Sequence, residues 1–431
     1  MKRFLWPALG GAVLVFGLSA PALAQTYPDD GSALQTIHDP YGNVLSIAGS
    51  LAPAGNAGTS GSGGRSTSLT GNLVTLNSGT VHDVSGALNF HDAGVTLSGN
   101  QVVIHGGTVG TTGTETSAGA FSWLKDSDTT VTGNKVTVTG GTINAYLNGG
   151  VARSDVSGNP AATNNSVDIQ GGTFQNHGTN GVYGGDAHSY SGGNALASGN
   201  TVNISAGTLG LSVYGGYAYS DSGTATATGN AVNIGAGLPA TAFNSANVWL
   251  YGGYTDALPG KATSTGNTLQ IASAGLAVAG LDDFQVFDFI LPAGLANNGT
   301  VLTVTKTATA GTSAVNAVVH VDASATTLQP GNKFILIGAS GTGTVSGYVA
   351  AGSQSGTLKD STGSRYDYTL GIDNNQLWLK IGSQRDVVVG AATPVPATSG
   401  TTLAVLGLCL AALAFAALRR RQGGGAQTFF R

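Results

Sequence analysis

The stretch Gly133-Asn134-Lys135-Val136-Thr137-Val138-Thr139-Gly140-Gly141-Thr142 decides the fold, because it recurs. A second copy reads Gly99-Asn100-Gln101-Val102-Val103-Ile104-His105-Gly106-Gly107-Thr108, and related copies begin at Gly71-Asn72, Asn164-Asn165, Gly199-Asn200, Gly229-Asn230 and Gly266-Asn267. The asparagines at 72, 100, 134, 165, 200, 230 and 267 are 28 to 37 residues apart, a period that signals a repeat array. Within each copy two apolar residues stand two apart, as in Val136/Val138, Val167/Ile169 and Val202/Ile204, with Thr137, Asp168 or Asn203 between them. That alternation is a strand with one face in a core and one in water. Gly-Asn before it supplies residues tolerant of positive φ at a tight corner, and Gly-Gly-Thr after it turns the chain again.

A second motif follows the first in three copies: Val182-Tyr183-Gly184-Gly185, Val213-Tyr214-Gly215-Gly216-Tyr217 and Leu250-Tyr251-Gly252-Gly253-Tyr254. Equivalent residues of stacked repeats lie about 4.8 Å apart. Tyr183, Tyr214 and Tyr251 are therefore expected to form an aromatic ladder, a candidate strip for stacking a carbohydrate ligand or one that simply stacks on itself. Strands of four to six residues closed by glycine corners cannot bury a face alone, and stacking solves this. The expected fold is all-β, a right-handed parallel β-helix or solenoid, with loop-like insertions at Gly113 to Ser127 and Asp186 to Ala197 projecting from one side. An antiparallel sandwich predicts no repeating corner sequence.

Composition agrees. Glycine is 69 of 431 residues, about 16% against roughly 7% in ordinary proteins, while only 9% of residues are charged and 41% are hydrophobic. Charge-driven disorder is excluded by the apolar content, and collagen by 12 prolines and the lack of a three-residue period. Past the repeats, Phe284, Phe287, Phe289 and Ile290 precede Leu291-Pro292, then Thr300 to Val304 and Leu328 to Ile337, a less glycine-rich segment suited to capping the open end.

These regions together resemble the passenger domains of bacterial autotransporters, in which Gly-Asn-x-Val-x-Ile-x-Gly-Gly-Thr and Val-Tyr-Gly-Gly-Tyr repeats precede a Phe-x-Phe-x-Leu-Pro segment. The resemblance covers about residues 65 to 345, with Phe287, Phe289, Leu291 and Pro292 fitting the last motif. An autotransporter's membrane barrel has roughly twelve strands of about 10 residues. Only 86 residues follow Val345, so self-export through a barrel is not expected.

The ends carry signals instead. Lys2-Arg3, an apolar run from Phe4 to Leu18 and Ala22-x-Ala24 before Gln25 read as a secretory signal peptide cleaved after Ala24, which implies the Sec export machinery and signal peptidase. Near the other end, Thr401 to Leu418 is nearly all apolar and would span about 27 Å as a helix, followed by Arg419-Arg420-Arg421 on the cytoplasmic side. With Val395-Pro396 ahead of it, this tail resembles the C-terminal sorting signals of the PEP-CTERM and IPTL-CTERM type. In that family an exosortase-type membrane enzyme removes the tail and passes the body to the cell surface or extracellular polymer.

The expected organisation is a signal peptide at 1–24, an N-terminal cap or linker at 25–64, solenoid repeats at 65–280 and a β cap at 281–390. A Val-Pro linker at 391–400, a transmembrane helix at 401–418 and a basic cytoplasmic tail at 419–431 complete it.

Between the ends, eleven of the 17 basic residues face all 21 acidic ones, a charge of about −10, and the eleven are scattered. Nucleic acid is not an expected partner. The single Cys409 lies in the apolar tail run, so no disulfide is expected. Catalytic groups are thin. Glu115 is the only glutamate, no His-Glu-x-x-His or Gly-x-Ser-x-Gly occurs, and Gly338 to Gly347 lacks phosphate-loop spacing. Asp126-Ser127-Asp128 reads as a solvated turn, Asp282-Asp283 as a cap pair, and Asp186-Ala187-His188 with His177 as a weak cluster. No catalytic residue, metal site or cofactor is expected. The sequence thus describes an exported surface or extracellular β-solenoid, held at least transiently at the inner membrane with its body in the periplasm, and used for adhesion to a matrix or surface polymer. The alternatives are a carbohydrate-active β-helix enzyme, a polysaccharide lyase or hydrolase, and a purely structural envelope protein.

Overall fold

The computed structural model describes residues 68–385, apart from 72, 79, 82, 90–92, 111–115, 176–180, 307–316, 344, 346–353 and 374, together with the short strands Ala24–Thr26 and Ile47–Ala48. Every regular element among the described residues is a strand. They coil into a parallel β-solenoid of about eight turns, each turn visiting three sheets.

The first face, the valine sheet, is built from the repeated motif. Leu73–Leu76, Gln101–Ile104, Lys135–Val138, Ser166–Phe174, Thr201–Leu209, Ala231–Ile234 and Thr268–Ile271 pair in parallel and in register. Val74, Val102, Val136, Val167, Val202, Val232 and Leu269 form one buried column, and Leu76, Ile104, Val138, Ile169, Ile204, Ile234 and Ile271 the next. Burying each such side chain contributes roughly 1.5–3 kcal/mol, so the repeat is held where its apolar pair cannot slip by one residue without facing water.

The second face, the tyrosine sheet, contains Tyr146–Asn148, Val151–Ser154, Gly181–Ser189, Ser212–Ser220 and Trp249–Ala257. The third, the threonine sheet, stacks Ser68–Thr70, Thr96–Ser98, Thr129–Thr132, Pro160–Thr163, Ala195–Ser198, Ala225–Thr228 and Ala262–Thr265. Behind the first half of the tyrosine sheet the core is Leu147, Val182, Val213 and Leu250. Behind its second half it narrows to alanines such as Ala152, Ala187 and Ala218, which face Ala162, Ala197 and Ala227 of the threonine sheet.

The repeat asparagines occupy the corner between the threonine and valine sheets, and they point inward. Asn100, Asn134, Asn165, Asn200, Asn230 and Asn267 are buried, while Asn72 lies outside the described residues. Each Oδ1 from Asn134 onward accepts two bonds from the preceding asparagine, from its backbone N–H at 2.9–3.0 Å and from its Nδ2 at 2.9–3.2 Å. Spare Nδ2 protons reach carbonyls of Leu97, Val131, Ala162, Ala197 and Ala227. The positive φ falls one residue earlier, on Gly133, Gly199 and their equivalents, and on Asn164 with φ 54° in the one copy that lacks the glycine.

The Gly-Gly of the tyrosine motif has a different origin. A Cβ on Gly184 would stand 2.3 Å from the Gly215 carbonyl oxygen of the next coil, and one on Gly185 would stand 2.4 Å from the Asn200 side chain. The pair therefore lets coils close over the asparagine ladder.

Parallel stacking runs on through Val286–Ile290 and Val318–Asp322. There Phe287 and Phe289 take the valine and isoleucine columns, and Gln285 Oε1 receives the last asparagine's bonds at 2.9 and 3.2 Å. A six-stranded sheet closes this end. Leu276–Val278, Thr300–Val304 and Lys333–Ala339 are parallel, Gln376–Arg385 runs antiparallel to the last of them, and Arg365–Asp373 lies beside it in an antiparallel pair with Gln354–Lys359.

Candidate functional site

The outward surface of the tyrosine sheet concentrates aromatic side chains. Eight of the 13 tyrosines, at 146, 183, 190, 214, 217, 219, 251 and 254, come from its strands or the residue just after one. In-register parallel pairing aligns Tyr183 with Tyr214 and Tyr214 with Tyr251. Their rings stack with centroids 4.5 Å apart and planes within 10° and 2°. Tyr146 continues the row at 6.2 Å from Tyr183. Tyr217 and Tyr254 form a second row against it, 5.2 Å from each other. Burial pushes the hydroxyls of Tyr183, Tyr214 and Tyr217 far above the usual tyrosine range and that of Tyr251 to about 12, so these rings keep their protons even in strongly alkaline solution.

At one place the rows are interrupted by charge. The column Phe121, Val151, Asp186, Tyr217, Tyr254 runs beside Trp123, Arg153, His188, Tyr219, Asp256. Arg153 Nη2 donates to Asp186 Oδ2 at 3.0 Å, and His188 Nε2 lies 2.6 Å from Asp186 Oδ1, close enough for an ion pair but off the hydrogen-bond line. The Arg153 guanidinium also sits 5.5 Å from the Phe121 ring and 5.7 Å from that of Trp123. Burial alone would raise the Asp186 carboxyl, but His188 and Arg153 hold it below the ordinary carboxylate range. Burial likewise opposes the charge of Arg153, and Asp186 keeps it firmly protonated. Arg153 Nε and His188 Nδ1 are buried and have no hydrogen-bond partner among the described residues.

Around this cluster the aromatic packing opens. Trp123, Tyr190 and Tyr219 are 6.2 and 5.7 Å apart in sequence, tilted by 31° and 49°. Trp123 Nε1 donates to Asp155 Oδ1 at 2.6 Å, and the Tyr219 hydroxyl donates to Asp221. The result is an aromatic platform rimmed by carboxylates, a chemistry suited to holding a hydroxyl-rich ligand by ring contact and hydrogen bonds.

The expected residues fall into three groups. The asparagines from Asn100 to Asn267 stand at corners between sheets, and their side chains form an interior ladder, because a buried side-chain amide finds partners in the coils above and below. Tyr183, Tyr214 and Tyr251 stand in one column, with their ring faces turned to one another. Ala24 and Gln25 lie in the strand Ala24–Thr26, which pairs with Leu73–Leu76. Ala22, His177, Val395, Pro396, Arg419, Arg420 and Arg421 lie outside the described residues, as do the expected transmembrane helix at 401–418 and Glu115.

The expected projecting insertions need correction. Phe121–Leu124 and Asp186 to Ser189 are sheet strands and not projecting loops, because their outward aromatic or charged residues alternate with inward residues that stack in register. Asp128 Oδ1 accepts from the Asn159 backbone and side chain at 2.7 and 2.9 Å, tying the Asp126 to Asp128 turn to the next coil. Sequence reasoning missed Arg153, Trp123, Tyr190 and Tyr219. The alternation in Phe121-Ser122-Trp123-Leu124 and Val151-Ala152-Arg153 is the signal for Trp123 and Arg153, and that in Tyr217-Ala218-Tyr219 the signal for Tyr219, whereas Tyr190 follows its strand and carries none.

Among the described residues no group of acidic, histidine or cysteine side chains could hold a metal ion, and no helix is long and apolar enough to cross a membrane. Compared with known proteins, the chain matches no family model, no curated protein and no solved structure.

Proposed function

We propose that this chain is an exported β-solenoid, coiled in the right-handed sense that parallel crossovers favour, and that it serves adhesion to a matrix or surface polymer. The observation that carries the reading is the aromatic outward face of the tyrosine sheet. A contiguous patch of large aromatic side chains on one outer face, each with an apolar ring and a polar tip, is of the kind that marks interaction sites. Export rests on the N-terminal sequence before Gln25. Anchoring or sorting rests on Val395-Pro396, the apolar run 401–418 and the three arginines, which together suit transient residence in the inner membrane followed by release to the surface by an exosortase-type enzyme.

The test is fractionation of cells carrying a tag just after Gln25, combined with an attachment assay. The tagged body should appear at the surface or in the medium shortened by its tail, and cells lacking the chain should attach poorly. A full-length body retained in the inner membrane leaves a plain anchor, and unaltered attachment removes adhesion.

One observation favours a second reading, a carbohydrate-active enzyme: the Asp186–His188 contact places an imidazole beside a carboxylate, an arrangement able to move protons. Incubation with polysaccharides should then release new chain ends, and His188→Ala should abolish that release. A purely architectural role predicts neither attachment nor chain cleavage.

A further inference from the structure

The tyrosine sheet carries two kinds of aromatic arrangement, and they are not equivalent as ligand surfaces. In the ladder Tyr183–Tyr214–Tyr251 the inner ring, Tyr214, is covered on both sides at 4.5 Å, and the end rings are flanked by Tyr146 and Trp249 at 6.2 Å. A sugar ring packs flat on an aromatic face, so a ladder whose faces are mutually occupied offers only edges and hydroxyls. The Trp123, Tyr190 and Tyr219 rings are tilted and 5.7–6.2 Å apart, too oblique to cover one another as the ladder rings do; His188 packs against Tyr190 and Tyr219 at 5.5 and 5.4 Å, and Trp123 is 37% exposed.

Charge selects among ligands. Asp155, Asp221 and Asp256 are exposed around these rings and outnumber Lys125 and Lys261, while Arg153 and the buried Asp186 are committed to each other. A polyuronate would meet net repulsion. A neutral glycan would meet acceptors, because a carboxylate that takes one bond from Trp123 or Tyr219 has lone pairs to spare for hydroxyls. Arg153 and His188 pack against these rings from the protein side, where they hold Asp186 and fix the platform in place. Spacing fits as well. Coils advance about 4.8 Å, near the advance per sugar of an extended 1,4-linked chain, so Trp123 and Tyr219, three coils apart, span about three sugars.

We infer that Trp123, Tyr190 and Tyr219, over the Arg153–Asp186–His188 cluster, form a binding site for a neutral, hydroxyl-rich hexopyranose polymer lying along the solenoid axis. This rests on the adhesion reading and names its ligand class and its address on the surface.

The test is depletion binding of the purified full-length chain in mild detergent to insoluble cellulose, chitin and calcium pectate. At least one of the two neutral polymers should bind at least tenfold more strongly than pectate. Trp123→Ala and Tyr190→Ala should each weaken that binding tenfold or more, Trp123→Phe should restore most of it, and Thr228→Val on the threonine sheet should leave it unchanged. Thermal melting of each variant separates loss of the site from loss of the fold. Stronger binding to pectate, binding to neither neutral polymer, or binding that survives both alanine substitutions overturns the site. Attachment assays keep the two levels apart. If Trp123→Ala cells attach normally while cells lacking the chain do not, adhesion stands and this site falls. If cells lacking the chain also attach, the adhesion reading itself falls.

Discussion

The tyrosine and threonine sheets are wound from the same coils, yet their outer surfaces have nothing in common. Outside the threonine sheet one column runs Thr70, Ser98, Thr132, Thr163, Ser198, Thr228, Thr265 and its neighbour runs Thr96, Thr130, Ala161, Leu196, Thr226, Thr263. These columns hold no charge and no ring. Hydroxyls link some coils, Thr163 to Thr132 at 2.9 Å and Thr228 with Thr265 at 3.2 Å, and β-branched side chains suit the pleated surface. Across the alanine core, the opposite face carries stacked tyrosines and a buried ion cluster. The interior of a solenoid must repeat because each coil packs on the last, whereas the exterior is free. The contrast between the faces therefore separates what folding demands from what the molecule presents to its surroundings.

The largest effect should come from the charge cluster. Asp186→Ala leaves Arg153 buried without its carboxylate, and breaking a buried pair costs about 3–5 kcal/mol. A marked drop in the chemical-denaturation midpoint is expected. Asp186→Ala combined with Arg153→Met should recover much of it, since an apolar replacement of both partners removes the stranded charge. A double variant as unstable as the single one would show that the pair is not the source.

A pH effect of similar order belongs to the far end of the tyrosine columns. Asp283 follows Asp282, which pairs with Tyr251, and it sits buried with φ 57°. Burial first, then the Asp282 charge, raises its carboxyl to about 7 against a slight opposing bond from Ser264. The folded state thus holds a proton that the unfolded chain releases near pH 4. Stability on this account is greatest below about pH 4, declines from there to about pH 7 and is flat above, by a few kcal/mol at roughly 1.4 kcal/mol per unit. Asp186 and Asp360, whose carboxyls are held low, act in the opposite sense and lose their contribution as pH falls below the ordinary carboxylate range. Asp283→Asn should flatten the melting profile between pH 4 and 7 and leave the acid limb intact.

The asparagine ladder comes next, and it marks the limit of what the sequence revealed. The Val/Ile pairs were legible because a period of two beside a Gly-Asn corner is the pattern of a short half-buried strand and of little else. The burial of Asn200 was not, since a polar residue at a corner ordinarily faces water; only neighbours 35 residues before and 30 after supply its partners. Arg153 and Asp186 likewise meet across 33 residues, and coils of unequal length hide which outward residues share a column. Gly184-Gly185 resembles the Gly140-Gly141 corner in letters but lies mid-strand, where its need is room for Asn200. Asn200→Ala strands donors and acceptors in two adjacent coils, at about 1–3 kcal/mol for each buried group left unmade. Gly184→Val should destabilise by a comparable amount through overlap with the Gly215 carbonyl. Hydrogen exchange should show the opening centred on the coils that contain Asn165, Asn200 and Asn230.

The smallest effect is expected on the threonine face, and it completes the comparison. Thr228→Val keeps the β-branched shape and removes one hydroxyl that bonds across to Thr265 at a solvent-exposed edge. Water replaces that bond, so stability should shift by no more than about 0.5 kcal/mol. Because the substituted face lies across the core from Trp123 and Tyr190, retention on neutral polysaccharide should not change at all. A loss of polymer binding in Thr228→Val, with melting unaltered, would mean that the ligand lies on the hydroxyl columns, and the division of labour between the two faces would have to be reversed.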